Sequence, residues 1–370
     1  MSRPPAILQV LPALESGGVE RGTLEIAEAI QAAGFRAIVA SAGGRLVPEL
    51  EALGARHVTL PLVTKSPAGI WRNAARLTEL AREEGVRIIH ARSRAPAWSA
   101  LLAARRSGAH FVTTYHGTYG EGWPGKRLYN SVMVRGERVI AISHHIADHI
   151  RRIYGPREAI RVIHRGVDLR RFDPAAVAPA RIEAQRQSWS LPAGSQVALL
   201  PARMTRWKGH EVLIRALPRL PQVVAVLAGD TAGRERYVGE LRALAEAEGV
   251  AGRLRFAGHV TDMPAAMLGA DLVIHASIEP EAFGRTVTEA QALARPVIAA
   301  DLGGPRETVE DGITGWLTPP GDAPALAGTI AKVLELPAAD LAAIGEAARR
   351  GVPTLEAMQQ ATLAVYRELL

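Results

Sequence analysis

The sequence predicts an α/β protein built from two Rossmann-like parallel-sheet domains, and three observations lead there. Apolar runs of four to six residues alternate with stretches of helical period, the rhythm of a parallel sheet covered by helices on both faces. The 370 residues exceed what one hydrophobic core organises. The alternation is interrupted by a segment punctuated by Gly166 and Pro174 and starts afresh at Val197, so the chain changes domain there. We expect an N-terminal domain over 1–170, a C-terminal domain over 171–352 and a closing helix within 353–370.

In the first half, strands are expected at 7–11, 37–40, 57–60, 87–90, 111–114, 139–142 and 160–163, with helices near 46–53, 70–84, 95–107 and 144–153. The first strand leads into Glu15-Ser-Gly-Gly-Val-Glu-Arg21 and a helix to about residue 33, so Gly17 and Gly18 form a loop at a helix N-terminus. Their spacing is not the six-residue dinucleotide fingerprint, and an ordinary turn fits them as well. Ser143 is the expected N-cap of the helix at 144.

Ligands of such sheets bind beyond the carboxyl ends of the strands. Three histidine-bearing segments fall there: His90-Ala-Arg92, Tyr115-His-Gly117 and Ser143-His-His145. His116 stands out because it follows a strand and precedes a glycine; the plainer alternative is a histidine bonded to loop carbonyls. His145 and His149 stand four apart with no evident third ligand, so a solvated helix face is expected rather than a metal site. The segment 123–138 mixes Trp123 and Tyr129 with Lys126 and Arg127. A helix packed on the sheet is favoured over one lying on a membrane, because Gly125 and Gly136 confine its span.

In the second half, strands are expected at 197–200, 223–229, 254–256, 272–274 and 296–299, and helices at 210–217, 235–248, 285–294, 323–336, 340–350 and 355–369. Arg203 and Lys208 lie in the loop before the helix at His210, where two cations can meet a diphosphate; no glycines precede Lys208, so this is not a Walker motif. The richest stretch is 272–298: strand, loop, helix, strand. Gly284 lets backbone approach a ligand, and the helix that starts at Arg285 points N–H groups at anything anionic. Glu281 in the loop and Glu289 one turn into the helix can reach the same ligand, one holding a sugar-like hydroxyl and the other a ribose.

Together these segments resemble the retaining family-4 glycosyltransferases. The resemblance rests on Glu279-Pro-Glu-Ala-Phe-Gly-Arg-Thr-Val-Thr-Glu289, on Ala202-Arg-Met-Thr-Arg-Trp-Lys-Gly209, and on Arg165-Gly-Val-Asp-Leu-Arg-Arg-Phe-Asp-Pro174. Gly303-Gly-Pro-Arg-Glu307 leading to Asp311-Gly-Ile-Thr-Gly315 completes it. It covers the C-terminal half almost continuously and the N-terminal half more loosely. It implies the B-type fold, two domains facing a central cleft, with the last helix returning to the first domain. It implies catalytic roles for His116 and Glu281, with His116 facing the donor sugar. A UDP- or GDP-sugar would be held by Gly17, Gly18, Arg203, Lys208, Phe283, Gly284, Arg285, Thr286 and Glu289, with Val260 near the base. Retention follows from the same resemblance, through departure and attack on one face, the leaving phosphate taking the acceptor's proton. No Asp-x-Asp occurs, so we expect no metal and no other cofactor, the cations supplying the positive charge.

The absence of cysteine excludes disulfides, thiolate metal sites and cysteine nucleophiles. Without a long apolar segment, a cytoplasmic protein is expected. The net charge of +7 is uneven: residues 1–176 hold 25 Lys and Arg against 15 Asp and Glu, a surplus of ten, whereas residues 177–370 hold 19 against 22. The basic half calls for an anionic partner. With the resemblance, this suggests a lipopolysaccharide-core or other lipid-linked acceptor and peripheral membrane contact, through Arg92, Arg94, Arg105, Arg106, Lys126 and Arg127. An arginine-rich genome composition is the plainer account. Two rival functions are a sugar-nucleotide epimerase of the same fold and a non-catalytic nucleic-acid-binding protein. Five Phe and no recognisable binding module argue against the latter, so no nucleic-acid partner is expected.

Overall fold

The computed structural model describes residues 4–15, 17–120, 122 and 124–370; Trp123 of the aromatic and basic segment lies outside the described residues. The chain divides into two compact units, Met1–Arg165 with Leu355–Leu370, and Gly166–Thr354.

In the first unit, strands β1 (Ala6–Val10), β2 (Arg36–Ser41), β3 (Arg56–Thr59), β4 (Val86–Ala91), β5 (His110–Tyr115), β6 (Arg138–Ala141) and β7 (Ile160–Val162) form one parallel sheet, in the order β3-β2-β1-β4-β5-β6-β7. Every residue of β1 is buried, as a strand covered on both faces requires. Ile7, Leu24, Ile30, Val39, Ile88 and Val112 pack into a core that the C-terminal helix Leu355–Arg367 completes with Met358, Leu363, Val365 and Tyr366. The units part at Arg165 rather than at 170, and at Thr354 rather than at 352. The reason is that Val167 donates its N–H to Pro353 O at 2.9 Å and bridges to Thr354, which ties both segments to the second unit.

Ser143 caps the helix His144–Tyr154, its Oγ accepting from the Ile146 N–H at 3.1 Å. The expectation of a solvated histidine face is corrected there. His149 is buried with Ile146, Ile150 and Ile153, its ring 6.0 Å from that of Tyr115, because it falls on the apolar face of the helix. After the helix Pro124–Asn130, a 3₁₀ turn buries Val132, Met133 and Val134, so this part of the segment packs into the unit.

In the second unit, β8 (Gln196–Pro201), β9 (Val223–Ala228), β10 (Leu254–Gly258), β11 (Leu272–His275), β12 (Val297–Ala300) and β13 (Trp316–Thr318) form a parallel sheet in the order β10-β9-β8-β11-β12-β13. Strand β13 and the helix Pro179–Ser188 had no signal in the sequence. The strand has only three residues, and the helix buries none of its residues, so it carries no apolar stripe. Both sheets follow the doubly wound order in which the winding reverses beside the first strand, and ligands bind at that reversal, beyond the carboxyl ends. The reversals lie between β1 and β4 and between β8 and β11. Among the described residues, no helix is long and apolar enough to cross a membrane.

Candidate functional site

Two loops meet at the β8/β11 reversal. The loop after β8 carries Arg203, the 3₁₀ turn Arg206–Lys208 and Gly209; the loop after β11 carries Ser277, Glu281 and Gly284. Gly209 has φ 72°, and a Cβ there would lie 1.8 Å from Ala276 O, so a glycine is what lets the loops touch. The Ile278 N–H donates to Trp207 O at 2.8 Å across the same contact. As a result Lys208 and Glu281, 73 residues apart, form a largely buried ion pair from Nζ to Oε1.

Glu281 Oε1 gathers further partners. His275 Nε2 lies 2.7 Å away, and the Ser277 hydroxyl donates to the same oxygen. Behind the carboxylate, the Gly304 N–H donates to Glu281 O at 2.8 Å, and a Cβ on Gly304 would come within 2.4 Å of Phe283 Cα. The glycine pair of Gly303-Gly-Pro-Arg-Glu307 is thus the backing of the Glu281 loop.

Burial pushes the Glu281 carboxyl up, but the His275 hydrogen bond and the Lys208 charge outweigh it and hold the group well below the usual carboxylate range. Burial pushes the Lys208 ammonium down, while Glu281 pulls it up. His210, next in the chain but one, is driven down to about 4 by burial, with the Lys208 charge adding to the effect. The Trp207 ring centroid lies 4.3 Å from Lys208 Nζ and 5.9 Å from Arg203 Cζ, and Arg203 itself is exposed.

Gly284, at φ 87°, precedes the helix Arg285–Ala292, whose first turn has no side-chain cap. Arg285 and Glu289 face each other along it, Nε to Oε1 3.6 Å. Thr286 is half-buried in the first turn and Phe283 is buried behind it. Val260 lies just past β10, half-buried against the core of this unit. The C-terminal candidates therefore share one edge of one sheet. What they offer chemically is an anionic acceptor of hydroxyl hydrogens at Glu281, beside cations and a helix N-terminus without a side-chain cap, which suits phosphate.

In the first unit, Gly17 precedes the helix Gly18–Ala32 with φ 144°. His116, just past β5, is half-buried, and its Nε2 is enclosed with no partner among the described residues. Burial first, then the charges of Arg92 and Arg165 and the proximity of His90, hold its pKa well below the ordinary value, so the ring is neutral. His90 lies between Tyr366 Oη and Thr114 Oγ1, each at 2.7 Å. The surface role expected of Arg92 is corrected: it is 2% exposed, because it continues a strand inside the sheet. Arg94 is held too, bonded to Asn130 Oδ1 at 2.7 Å and set over the Tyr119 and Tyr129 rings. Arg105, Arg106 and Arg127 are exposed, and Lys126 is half-buried.

Two family models match the chain, Glycosyltransferase Family 4 over residues 16–171 and Glycosyl transferases group 1 over residues 181–364. The crystal structure of a glycosyltransferase from Rickettsia africae ESF-5 superposes with a TM-score of 0.92 at 37% identity, over 100% of this chain and 99% of that one. The chain belongs to the family-4 glycosyltransferases. Anabaena HepE, solved in complex with UDP and glucose, has the same fold at 27% identity and a TM-score of 0.87, over 98% of this chain and 100% of that one. A GDP-mannose-dependent alpha-(1-6)-phosphatidylinositol monomannoside mannosyltransferase of Mycolicibacterium smegmatis is 31% identical over 291 residues, 75% of this chain and 74% of that protein. Against other curated relatives, at 34–35% identity, the chain spans about half their length. Membership of family 4 sets aside the epimerase and the non-catalytic readings. The family-4 motif points to Glu281 and Glu289 but not to His275 or Ser277, which orient Glu281. His275 ends a strand, as the histidine-bearing segments noted in the first half do, but it precedes no glycine and so lacks the feature that singled out His116.

Proposed function

We propose that this family-4 protein transfers a sugar from a UDP- or GDP-linked donor to an anionic, lipid-linked glycan, with retention at the anomeric carbon and without a metal ion. The observation that carries this is the Lys208–Glu281 pair at the β8/β11 reversal, a cation and a carboxylate, both largely buried, held where a nucleotide sugar binds in such sheets. Lys208, Arg203 and the positive end of the helix that starts at Arg285 neutralise the departing diphosphate. Glu281, kept anionic by its neighbours, accepts from hydroxyls of the sugar, and Glu289 takes the ribose. The family resemblance assigns Gly17 and Gly18 to the diphosphate and the neutral His116 to the donor sugar. The leaving phosphate takes the acceptor's proton. HepE's complex with UDP and glucose, and the GDP-mannose in the mycobacterial relative's name, support the donor class.

For the acceptor, support comes from the surplus of ten positive charges in residues 1–176 and from the phosphoinositide in that relative's name. A lipopolysaccharide core fits the same charge. Trp71, 57% exposed with Arg106 Cζ 4.6 Å from its ring centroid, and the exposed Arg105 and Arg127 are the side chains proposed to meet the cytoplasmic side of the membrane. Screening UDP- and GDP-sugars for donor consumption in EDTA tests the donor and the metal together. Activity is expected to survive the chelator, and its loss with recovery on adding a divalent ion would overturn the metal-free reading. Co-sedimentation with anionic but not neutral vesicles, weakening with salt, is expected. Transfer to a neutral soluble sugar without vesicle binding would overturn the acceptor reading.

A further inference from the structure

Strand β11 ends on His275, and the alternation of a strand decides what that histidine meets. Leu272 and Ile274 point into one half of the second unit's core and Val273 into the other, so His275 lies on the Val273 side. Ser277, two residues on, returns to the same side, its Oγ 3.4 Å from His275 Nε2. Both side chains are buried. The backbone that carries them is held on two sides, since β11 pairs with β8 and with β12, His275 in register with Ala299.

Three donors converge on one oxygen of Glu281: Lys208 Nζ, the Ser277 hydroxyl and His275 Nε2 all meet Oε1, the last at 2.7 Å. Among the described residues no donor bonds Oε2, and the side chain keeps 12% of its surface exposed, so Oε2 is the oxygen left for a ligand. His275 has to be a donor in this contact, because a carboxylate oxygen has no hydrogen to give. Its Nδ1 is enclosed with no partner among the described residues, and a hydrogen there would be stranded, so the ring carries its hydrogen on Nε2. Lys208 is the charged member of the three, and a diphosphate competes with Glu281 for it. A hydroxyl and an imidazole N–H stay with the carboxylate whatever Lys208 does. We infer that His275 is a positioning residue for the transfer: with Ser277 it keeps Oε1 of Glu281 in place when the donor diphosphate engages Lys208, so that Oε2 stays turned to a hydroxyl of the sugar. The inference rests on the transfer from a nucleotide sugar proposed above. Preorganisation of this kind acts on the rate, since the carboxylate need not reorient as charge moves from sugar to diphosphate.

The test uses the full chain with UDP-glucose, or GDP-mannose if wild type consumes that instead, and with UDP or GDP alone as the probe of nucleotide binding. His275→Met fills the space without a donor, and its kcat is expected to fall at least tenfold while its affinity for the nucleotide stays that of wild type. His275→Gln carries an amide N–H to about the place of Nε2, and its kcat is expected to stay within about threefold of wild type. Equal kcat in wild type and His275→Met overturns the inference. So does a loss of nucleotide affinity that matches the loss of kcat, the mark of a merely structural role, and so does a His275→Gln as slow as His275→Met. If His275→Met does not fold, His275→Asn decides: its amide falls short of Oε1, so slower turnover with nucleotide affinity kept supports the inference and wild-type turnover overturns it. Proton–nitrogen correlation spectra of the imidazoles give a reading that needs no donor sugar. The resonances that disappear in His275→Gln should show hydrogen on Nε2 and none on Nδ1; hydrogen on Nδ1 alone overturns the inference. If wild type consumes no UDP- or GDP-sugar, the donor reading fails, and the spectra alone decide the His275 bond.

Discussion

Lys208 is an ammonium with two claims on it, the Glu281 carboxylate that pairs with it and the donor diphosphate that the proposed reaction brings beside it. Lys208→Ala should therefore reduce kcat/KM at least ~100-fold, since losing a buried charge-assisted contact costs roughly 3 kcal/mol. Arg203→Ala should do less, because Arg203 is exposed in the same loop. Steady-state kinetics with the preferred donor check both, and unchanged kinetics in Lys208→Ala would remove it from the site. His210 gives a pH prediction. Its pKa falls from 6.5 to about 4 in the folded protein, so the unfolded chain binds the proton first. Its contribution to stability is complete above about pH 6.5 and is lost as the pH falls to about 4, by up to roughly 3 kcal/mol. Urea midpoints between pH 7 and 4 should decline less steeply in His210→Gln; an equal slope would count against this residue.

Glycines decide the geometry of the loops at the β8/β11 reversal. Gly209 and Gly233 have nearly the same φ, 72° and 70°, but a Cβ on Gly209 would strike Ala276 O whereas Gly233 faces open space. Gly233→Ala should cost only the left-handed backbone strain, roughly 1 kcal/mol. Gly209→Ala must also push the two loops apart, so UDP affinity should fall at least tenfold in it and stay near wild type in Gly233→Ala. Calorimetry with UDP separates the two, and equal affinities would mean the loops can part without harm.

The two units differ in how the chain builds them. The second is continuous, Gly166–Thr354, whereas the first needs Leu355–Leu370 to finish its core. That last segment supplies Tyr366, whose hydroxyl meets His90 at 2.7 Å, and Glu368, which pairs with Arg138 at 2.6 Å and Arg161 at 2.9 Å. Ending the chain at Thr354 should remove several buried side chains at roughly 2 kcal/mol each and abolish the first unit's melting transition. A fragment spanning 166–354 should still unfold cooperatively. Differential scanning calorimetry of both reads this directly, and a truncated chain that melts like wild type would show that the helix Leu355–Arg367 is dispensable.

What the sequence determined by itself is whatever depends on neighbours along the chain. The strands were legible within one or two residues for most of both sheets, because strands buried on both faces read as apolar runs. Ser143, Gly284 and the Arg285–Glu289 turn were legible because a cap, a loop end and a helix start are contiguous. Tertiary structure alone decided the rest. It brought Lys208 to Glu281 by placing β8 beside β11, added His275 and Ser277 to the same oxygen, and put Arg92 inside the protein rather than on its surface. A residue's charge is set by its type, but its burial and its partners are set by which strands lie side by side, and a parallel sheet joins strands that are far apart in the chain.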